Sequence, residues 1–240
     1  MEKFLLPPRV FLPALAVWLF FSSVTTYFDL HEHANQTEMT EETFKLPAPV
    51  PAGPLSLEEA LASRRSVRSY RDEPLQLPWV GQILWAAQGI TLDTRGYRTA
   101  PSAGATFPLE VYLVAGRVDG LEPGLYRYVP AGHLLAKVLD GDLRNELAGA
   151  ALGQTQVAGA PAVFVIAADY GRTSPRYGER AVRYVHMEAG HAGQNISLQA
   201  LAYGLGTVMV GAFSDENVKS LLRLPANEDP LYIIPVGKPE

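Results

Sequence analysis

Pro161-Ala162-Val163-Phe164-Val165-Ile166-Ala167-Ala168 is an uninterrupted apolar run of strand length. A strand sends alternate side chains to opposite faces. A run that is apolar at both parities therefore belongs to a sheet covered on both sides. Its neighbours supply further strands. Residues 109–114 alternate as a strand, and 124–129 with 133–139 read as a hairpin around Pro130-Ala131-Gly132. Residues 207–213 and 231–236 read as two more strands.

The cover is helical. Ser56-Leu57-Glu58-Glu59 is a capping box that opens a helix to about residue 63. A second helix spans 78–88, with Pro78 in its first turn and Gly89 just past its end. Asp142 is placed to cap a helix reaching about residue 152, one long helix fills 175–203, and Ser214 caps a short helix to 222. No internal repeat is visible. The expected fold is mixed α and β, with helices packed on a central sheet.

Composition narrows the function. The chain has 240 residues, a formal net charge of −5 and no cysteine. Thiol nucleophiles, disulfides, iron–sulfur clusters and cysteine-bound zinc are excluded. The acidic balance, with no broad basic face, argues against nucleic acid. Lys3 and Arg9 precede an uncharged apolar run over 10–28, and Asp29, Glu32, Glu38, Glu41 and Glu42 follow it. That pattern predicts an uncleaved membrane anchor within 1–28, with the catalytic domain outside the cytoplasm. Residues 29–54, acidic and then proline-rich, read as an extended linker, and 55–240 as the globular domain.

Five segments are candidates for chemistry. Arg64-Arg65-Ser66-Val67-Arg68-Ser69-Tyr70-Arg71 concentrates four arginines, which either gather a phosphorylated ligand or pair with Asp72, Glu73 and Glu58. Residues 99–106 form a small-residue loop that lets a ligand approach backbone amides. On the long helix Glu188, His191 and Asn195 share a face, as either catalytic groups or a satisfied buried network. Gly190 and Gly193 weaken that helix, so close approach of another helix is expected there. His186 and His191 are five apart and no HExxH occurs, so no metal site is expected. Gly204–Phe213 has the glycines of a dinucleotide fingerprint but runs from helix to strand. It reads instead as a strand end whose amides at Gly211 and Ala212 face a flat ligand. Residues 172–180 are a polar, basic segment read equally as an active-site rim or a solvated loop.

Taken in order, RRSVRSY (64–70), APSAGATFPLEVYLV (100–114), GLYRY (124–128), EAGHAGQN (188–195) and GLGTVMVGAF (204–213) resemble the nitroreductase superfamily of FMN enzymes. Within it the chain is similar to the SagB-type dehydrogenases, which include the azoline oxidases of thiazole/oxazole peptide maturation. The likeness covers about 55–239. It implies an α+β homodimer with a central mixed sheet flanked by helices and FMN at the subunit interface. By the same resemblance Arg64, Arg65 and Ser66 match the phosphate-side motif, and Arg68 the cation near the pyrimidine edge. Pro101, Ser102 and Ala103 match the segment reaching the flavin from the partner chain. Gly211 and Ala212 match the loop whose amide points at N5.

The chain departs from the family in two places. Azoline oxidases carry Lys-Tyr just before the long helix, where this chain has Arg176-Tyr177. Arginine does not deprotonate in proteins, which leaves Tyr177 to move a proton. Relatives also bring a further basic residue from beyond the last strand, and Lys238 is the candidate for that position. The resemblance implies an FMN oxidoreductase passing hydride, with NAD(P)H as a candidate donor, to a quinone, nitro compound or similar electrophile. The alternatives are a peptide azoline dehydrogenase and a membrane-tethered flavin scaffold without turnover.

Overall fold

The computed structural model describes residues 42–92 and 95–240. The expected anchor at 10–28, and the linker as far as residue 41, lie outside the described residues. Among those described, no helix is long and apolar enough to cross a membrane.

The sheet is built from β1 (Thr43–Lys45), β5 (Leu109–Ala115), β7 (Gly124–Val129), β8 (Leu134–Asp140), β9 (Ala162–Ala168), β10 (Gly206–Thr207) and β11 (Asp229–Gly237). Two small pairs, β2 (Leu75–Gln76) with β6 (Val118–Asp119) and β3 (Ile90–Leu92) with β4 (Tyr97–Arg98), lie beside it. The helices are α1 (Leu57–Ser63), α2 (Leu77–Gln88), α3 (Arg144–Ala150), α4 (Thr155–Gly159), α5 (Ser174–Tyr177), α6 (Arg180–Ala202) and α7 (Asp215–Leu221). The order across the sheet is β1-β8-β7-β5-β9-β11-β10, and its ladders are antiparallel. It becomes mixed at one edge, where Ser66 bridges Thr207 in parallel.

The opening run is β9, between β5 and β11, and all seven of its residues are 0 % exposed. The two parities go to two cores. Phe164 and Ile166 pack with Leu113, Val185 and Ile196. Val163 and Val165 pack with Val114, Leu147, Val157 and Val218. Helices α2 and α6 cover the first face, and α3, α4 and α7 the second. Each such side chain contributes roughly 1.5–3 kcal/mol on leaving water.

Several local expectations hold. The Ser56–Glu59 capping box is present in both directions. Proline sits in the first turn of α2, and the Ser214 hydroxyl accepts from Asn217 N to cap α7.

Others are corrected. The linker does not run to residue 54, because the domain already packs from Thr43. β1 pairs with β8, Phe44 meets Tyr126 edge-on at 5.6 Å, and Leu46 is buried in the core. The Gln82 side chain then ties the backbone of Val50, accepting from its N–H at 2.9 Å and donating to its carbonyl at 3.0 Å. The long helix is two helices, parted at Gly178, whose φ of 55° and ψ of −138° end α5. Asp142 is not the N-cap of α3; Leu143 takes that place, with no side-chain cap bond. Asp142 instead grips Arg144 through both carboxylate oxygens, at 2.8 and 2.6 Å, and Arg144 also donates to the Ala160 carbonyl. The expected strand 207–213 stops at Thr207 as a ladder. Continuing the register would set Val208 against Pro235, which has no N–H to give. Pairing returns only at Val210, which exchanges hydrogen bonds of 2.9 and 3.0 Å with Ile233. Gly193 is not a helix-crossing point within the chain, since a Cβ there would meet Met209 Sδ at 3.2 Å.

Candidate active site

Between α1 and β2 the chain lies along β10. Val67 N donates to the Thr207 carbonyl at 2.9 Å. Val67 also sits so close over Gly206 that a Cβ there would fall 2.6 Å from it. Tyr70 anchors the other end. It is buried, its hydroxyl donates at 2.7 Å to the Val67 carbonyl, and the Pro235 carbonyl lies at 3.2 Å. Burial pushes the phenol well above its ordinary range. This clamp fixes where the arginines stand.

The arginines then divide. Arg65 Nη1 turns back to the carbonyls of Ala62 and Arg64 at the end of α1, at 3.1 and 2.8 Å. Arg71 lies 3.9 Å from Glu73, an exposed ion pair. The side chains of Arg64 and Arg68 make no hydrogen bond or ion pair among the described residues. A cavity of about 230 Å³ opens beside Arg64 and Arg65, backed by Ser197 and Thr207, whose hydroxyls lie 3.0 Å apart. Lys238 does not reach into this group as a free cation. Its Nζ lies 2.5 Å from Glu73 and holds that carboxyl below its usual range.

Beyond Val210 the chain leaves the ladder. Gly211 and Ala212 are exposed, and their N–H groups donate to no described residue. The Ala212 carbonyl accepts from Gln154 Nε2 at 2.8 Å, which steadies the loop.

Pro101, Ser102 and Ala103 belong to a second group. They open a tight turn in which Gly104, Ala105 and Phe107 have φ of 62°, 55° and 46°. Two non-glycine residues in that region mark stored strain. The surroundings hold it in place. The Ser102 hydroxyl accepts from Phe107 N at 2.9 Å, and Thr106 meets Thr173 hydroxyl to hydroxyl at 2.9 Å. The Arg98 guanidinium lies 5.0 Å over the Phe107 ring. Arg172 donates to the Phe107 carbonyl and pairs with Glu110 at 2.6 Å.

Arg176 and Tyr177 close over this turn. Arg176 Nη1 donates to the Gly104 carbonyl at 3.0 Å. A Cβ on Gly104 would lie 2.5 Å from Tyr177 Oη. Tyr177 stands edge-on to Tyr184 of α6, with centroids 5.0 Å apart. The 172–180 segment is thus the rim of the turn, and its arginine and tyrosine are brought to it together.

Beneath the turn lies Glu188 of α6, 2 % exposed. The expectation of a fully satisfied polar face does not hold, because Glu188 Oε1 has no partner. Burial raises the carboxyl to about 7, against the opposing pull of the Ser102 hydroxyl, the Arg98 charge and the Ala103 amide. Asn195 instead ties α6 to α2, donating to the Ala86 carbonyl at 3.0 Å. His191 is exposed. On the opposite side of α6, His186 bonds the Tyr170 hydroxyl at 2.7 Å. Sequence reasoning passed over Arg98 and left Glu188 open between a catalytic group and a buried network. Glu188 stood in a quoted motif, and its burial under the turn was the missing fact.

No hydrogen bond or ion pair among the described residues joins the Arg64–Gly211 group to the turn at 101–105. One chain therefore presents two separate halves of polar machinery.

The Nitroreductase family profile matches residues 61–238. A candidate nitroreductase from Methanocaldococcus jannaschii is 50 % identical over 184 residues, covering 77 % of this chain and 91 % of that one. A trifolitoxin operon protein of Rhizobium leguminosarum bv. trifolii is 27 % identical, covering 75 % of this chain and 54 % of its own length. The crystal structure of a candidate nitroreductase from Ralstonia eutropha superposes with a TM-score of 0.73 at 28 % identity, covering 84 % of this chain and 91 % of that one. The profile and the relative at 50 % identity together show that the chain belongs to the Nitroreductase family.

Proposed function

We propose that this protein is an FMN-dependent oxidoreductase that works as a homodimer, each site combining the arginine group of one subunit with the turn at 101–105 of the other. The observation that carries the reading is the pair of guanidiniums at Arg64 and Arg68. An acidic chain leaves both side chains without a hydrogen bond or ion pair among the described residues, and Arg64 lines a cavity, as a phosphate and the electron-rich edge of a flavin require. The fit extends to the loop, where the amides of Gly211 and Ala212 are undirected donors. Arg64, Arg65 and Ser66 would hold the phosphate, Arg68 the pyrimidine edge, and Gly211 and Ala212 the N5 side. Pro101, Ser102 and Ala103 would come from the partner.

When bound, FMN supplies reversible hydride acceptance, which a chain without cysteine does not need to support with a nucleophile. The residues' own work is to bind, orient and exclude water. Arg176 fixes the turn through the Gly104 carbonyl, and Tyr177, packed on Tyr184, is the group placed to hold or move a proton at its hydroxyl. The acceptor on this reading is a small electrophile such as a quinone or nitro compound, with NAD(P)H as donor. A second reading is dehydrogenation of an azoline-like group in a peptide, of the SagB type. It is favoured by Tyr177 at the turn and by similarity to a protein of a trifolitoxin operon. Arg176, as a permanent cation, does not serve it as a base.

Purified full-length protein is expected to be yellow or to become so with FMN, and to bleach with NADH or NADPH in the absence of air. Arg64→Ala is expected to weaken FMN binding by roughly 10- to 100-fold, the value of a charge-assisted hydrogen bond or two. Unchanged affinity would remove the phosphate role. Failure to bleach, with turnover of an azoline peptide, would select the second reading.

A further inference from the structure

Glu188 is the one acidic side chain of α6 that is buried, and it lies directly under the segment assigned above to the partner's cofactor. The Ser102 hydroxyl and the Ala103 amide pull its carboxyl down against burial, and Ser102 and Ala103 share its cleft, but neither makes a hydrogen bond to it. The Ser102 oxygen accepts from Phe107 N, which leaves its proton free to donate. Oε1 is left without any partner. The residue also borders a cleft of about 260 Å³ with Pro101, Ser102, Tyr184, Met187 and His191. A buried carboxyl with an unpartnered oxygen, sharing a cleft with two donors that no hydrogen bond commits to it, is incomplete, and those donors are the ones a cofactor across the cleft would use.

We propose that Glu188 is a positioning residue that decides whether Ser102 and Ala103 direct their donors inward to its carboxyl or outward to a flavin lying against residues 101–103. This rests on the flavin reading above. As a carboxylate, Glu188 holds both donors and sets a buried negative charge beside the cofactor. As a neutral acid it releases them and removes the charge. The groups facing it have distinct origins. Arg98 approaches from β4 and favours the carboxylate. Glu110 and Arg172 act on Arg98. Tyr184 and His191 flank Glu188 along α6 at the same cleft, and Arg176 and Tyr177 lie over Gly104 on the outer side of the turn. Burial outweighs Arg98, so the carboxyl changes charge near neutral pH, with the acid form below.

The sign follows. FMN affinity of the wild type is highest below the Glu188 midpoint and falls as pH rises through it. Glu188→Gln keeps the shape, cannot ionise and accepts hydrogen bonds less strongly than a carboxylate. The test is an FMN titration by fluorescence quenching at about pH 6 and about pH 8, a unit either side of the midpoint. The wild type is expected to bind about three- to tenfold more weakly at the higher pH, the value of one hydrogen bond. Glu188→Gln is expected to bind equally at both, and His191→Gln, the control for the other titratable group at the cleft, to keep the wild-type difference. If Glu188→Gln retains the pH response, the proposal is overturned while the flavin reading stands. If the wild type binds no FMN at either pH, both fall. A readout on the unsubstituted protein covers a variant that fails to fold. The Ser102 and Ala103 amide resonances should titrate together near neutrality without FMN, and fixed resonances would overturn the proposal.

Discussion

Gly206→Ala tests the seat of the arginine segment more sharply than any charge removal. Gly206 has an ordinary backbone conformation, so the new methyl meets only a contact penalty. Its Cβ would fall 2.6 Å from Val67 Cβ, 2.6 Å from Cγ2 and 2.9 Å from Cγ1. All three atoms belong to a β-branched side chain on a clamped segment, which cannot swing aside. Overpacking of this kind costs about 1–3 kcal/mol, or a fall in Tm of roughly 2–12 °C for a domain of this size. The segment can yield only by lifting from Thr207, which carries Arg64 and Arg68 out of place. FMN affinity should therefore fall together with stability, although no ligand-facing side chain has changed. The partner substitutions make the reasoning specific. Val67→Ala removes Cγ1 and Cγ2 but leaves Cβ, so it should recover part of the Gly206→Ala loss, and Val67→Gly more of it. The assay is a double-mutant cycle in urea, with FMN titration alongside, and a coupling of about 0.5–3 kcal/mol is expected. Strict additivity in both double variants would refute the contact as the cause.

Three further outcomes are expected. Phe164→Ala empties a site that is 0 % exposed at the centre of the sheet and should cost about 3–5 kcal/mol by urea denaturation. Glu188 is raised in the folded state from 4.5 to about 7, so the native protein binds more protons than the unfolded chain between those values. Stability should fall as pH rises through that window, by an upper bound of roughly 3 kcal/mol, and the fall should vanish in Glu188→Gln. For the N-terminal segment, the full chain is expected in the membrane fraction after alkaline carbonate washing, with the domain open to protease added from outside the cytoplasm. Release by the wash would refute the anchor at 10–28.

The parts of the fold legible in the sequence are those whose causes are local. The β9 run declares two-sided burial by itself, and Ser56 with Glu59 declares a helix start within four residues. What escaped depends on partners far along the chain. β1 is three residues long, and only pairing with Leu134–Ala136 makes it a strand. The ladder at Thr207 stops because of Pro235, which cannot be read from the apolar run 207–213. Gly178 breaks a helix and Gly190 does not, though both are glycines in polar surroundings. Gly178 adopts a backbone that ends α5, while Gly190 sits on an open face where the helical conformation meets nothing. At the site, the arginine segment and the small-residue turn were visible as compositions. Glu188, Arg98 and the closing of Arg176 and Tyr177 over Gly104 required the third dimension.

The first strand has a consequence for how copies of this protein meet one another. β1 lies at the outer rim of the sheet, and without it the main-chain groups of Leu134, Leu135 and Ala136 would stand open as a template for another chain's strand. β1 is itself a poor template, being three residues long, carrying Lys45 and running at once into Pro47. A stretch that looks in sequence like slack thus seals the sheet against edge-to-edge aggregation. Protein cut back to residue 55 should form fibrillar or amorphous assemblies at concentrations where the full chain stays dispersed.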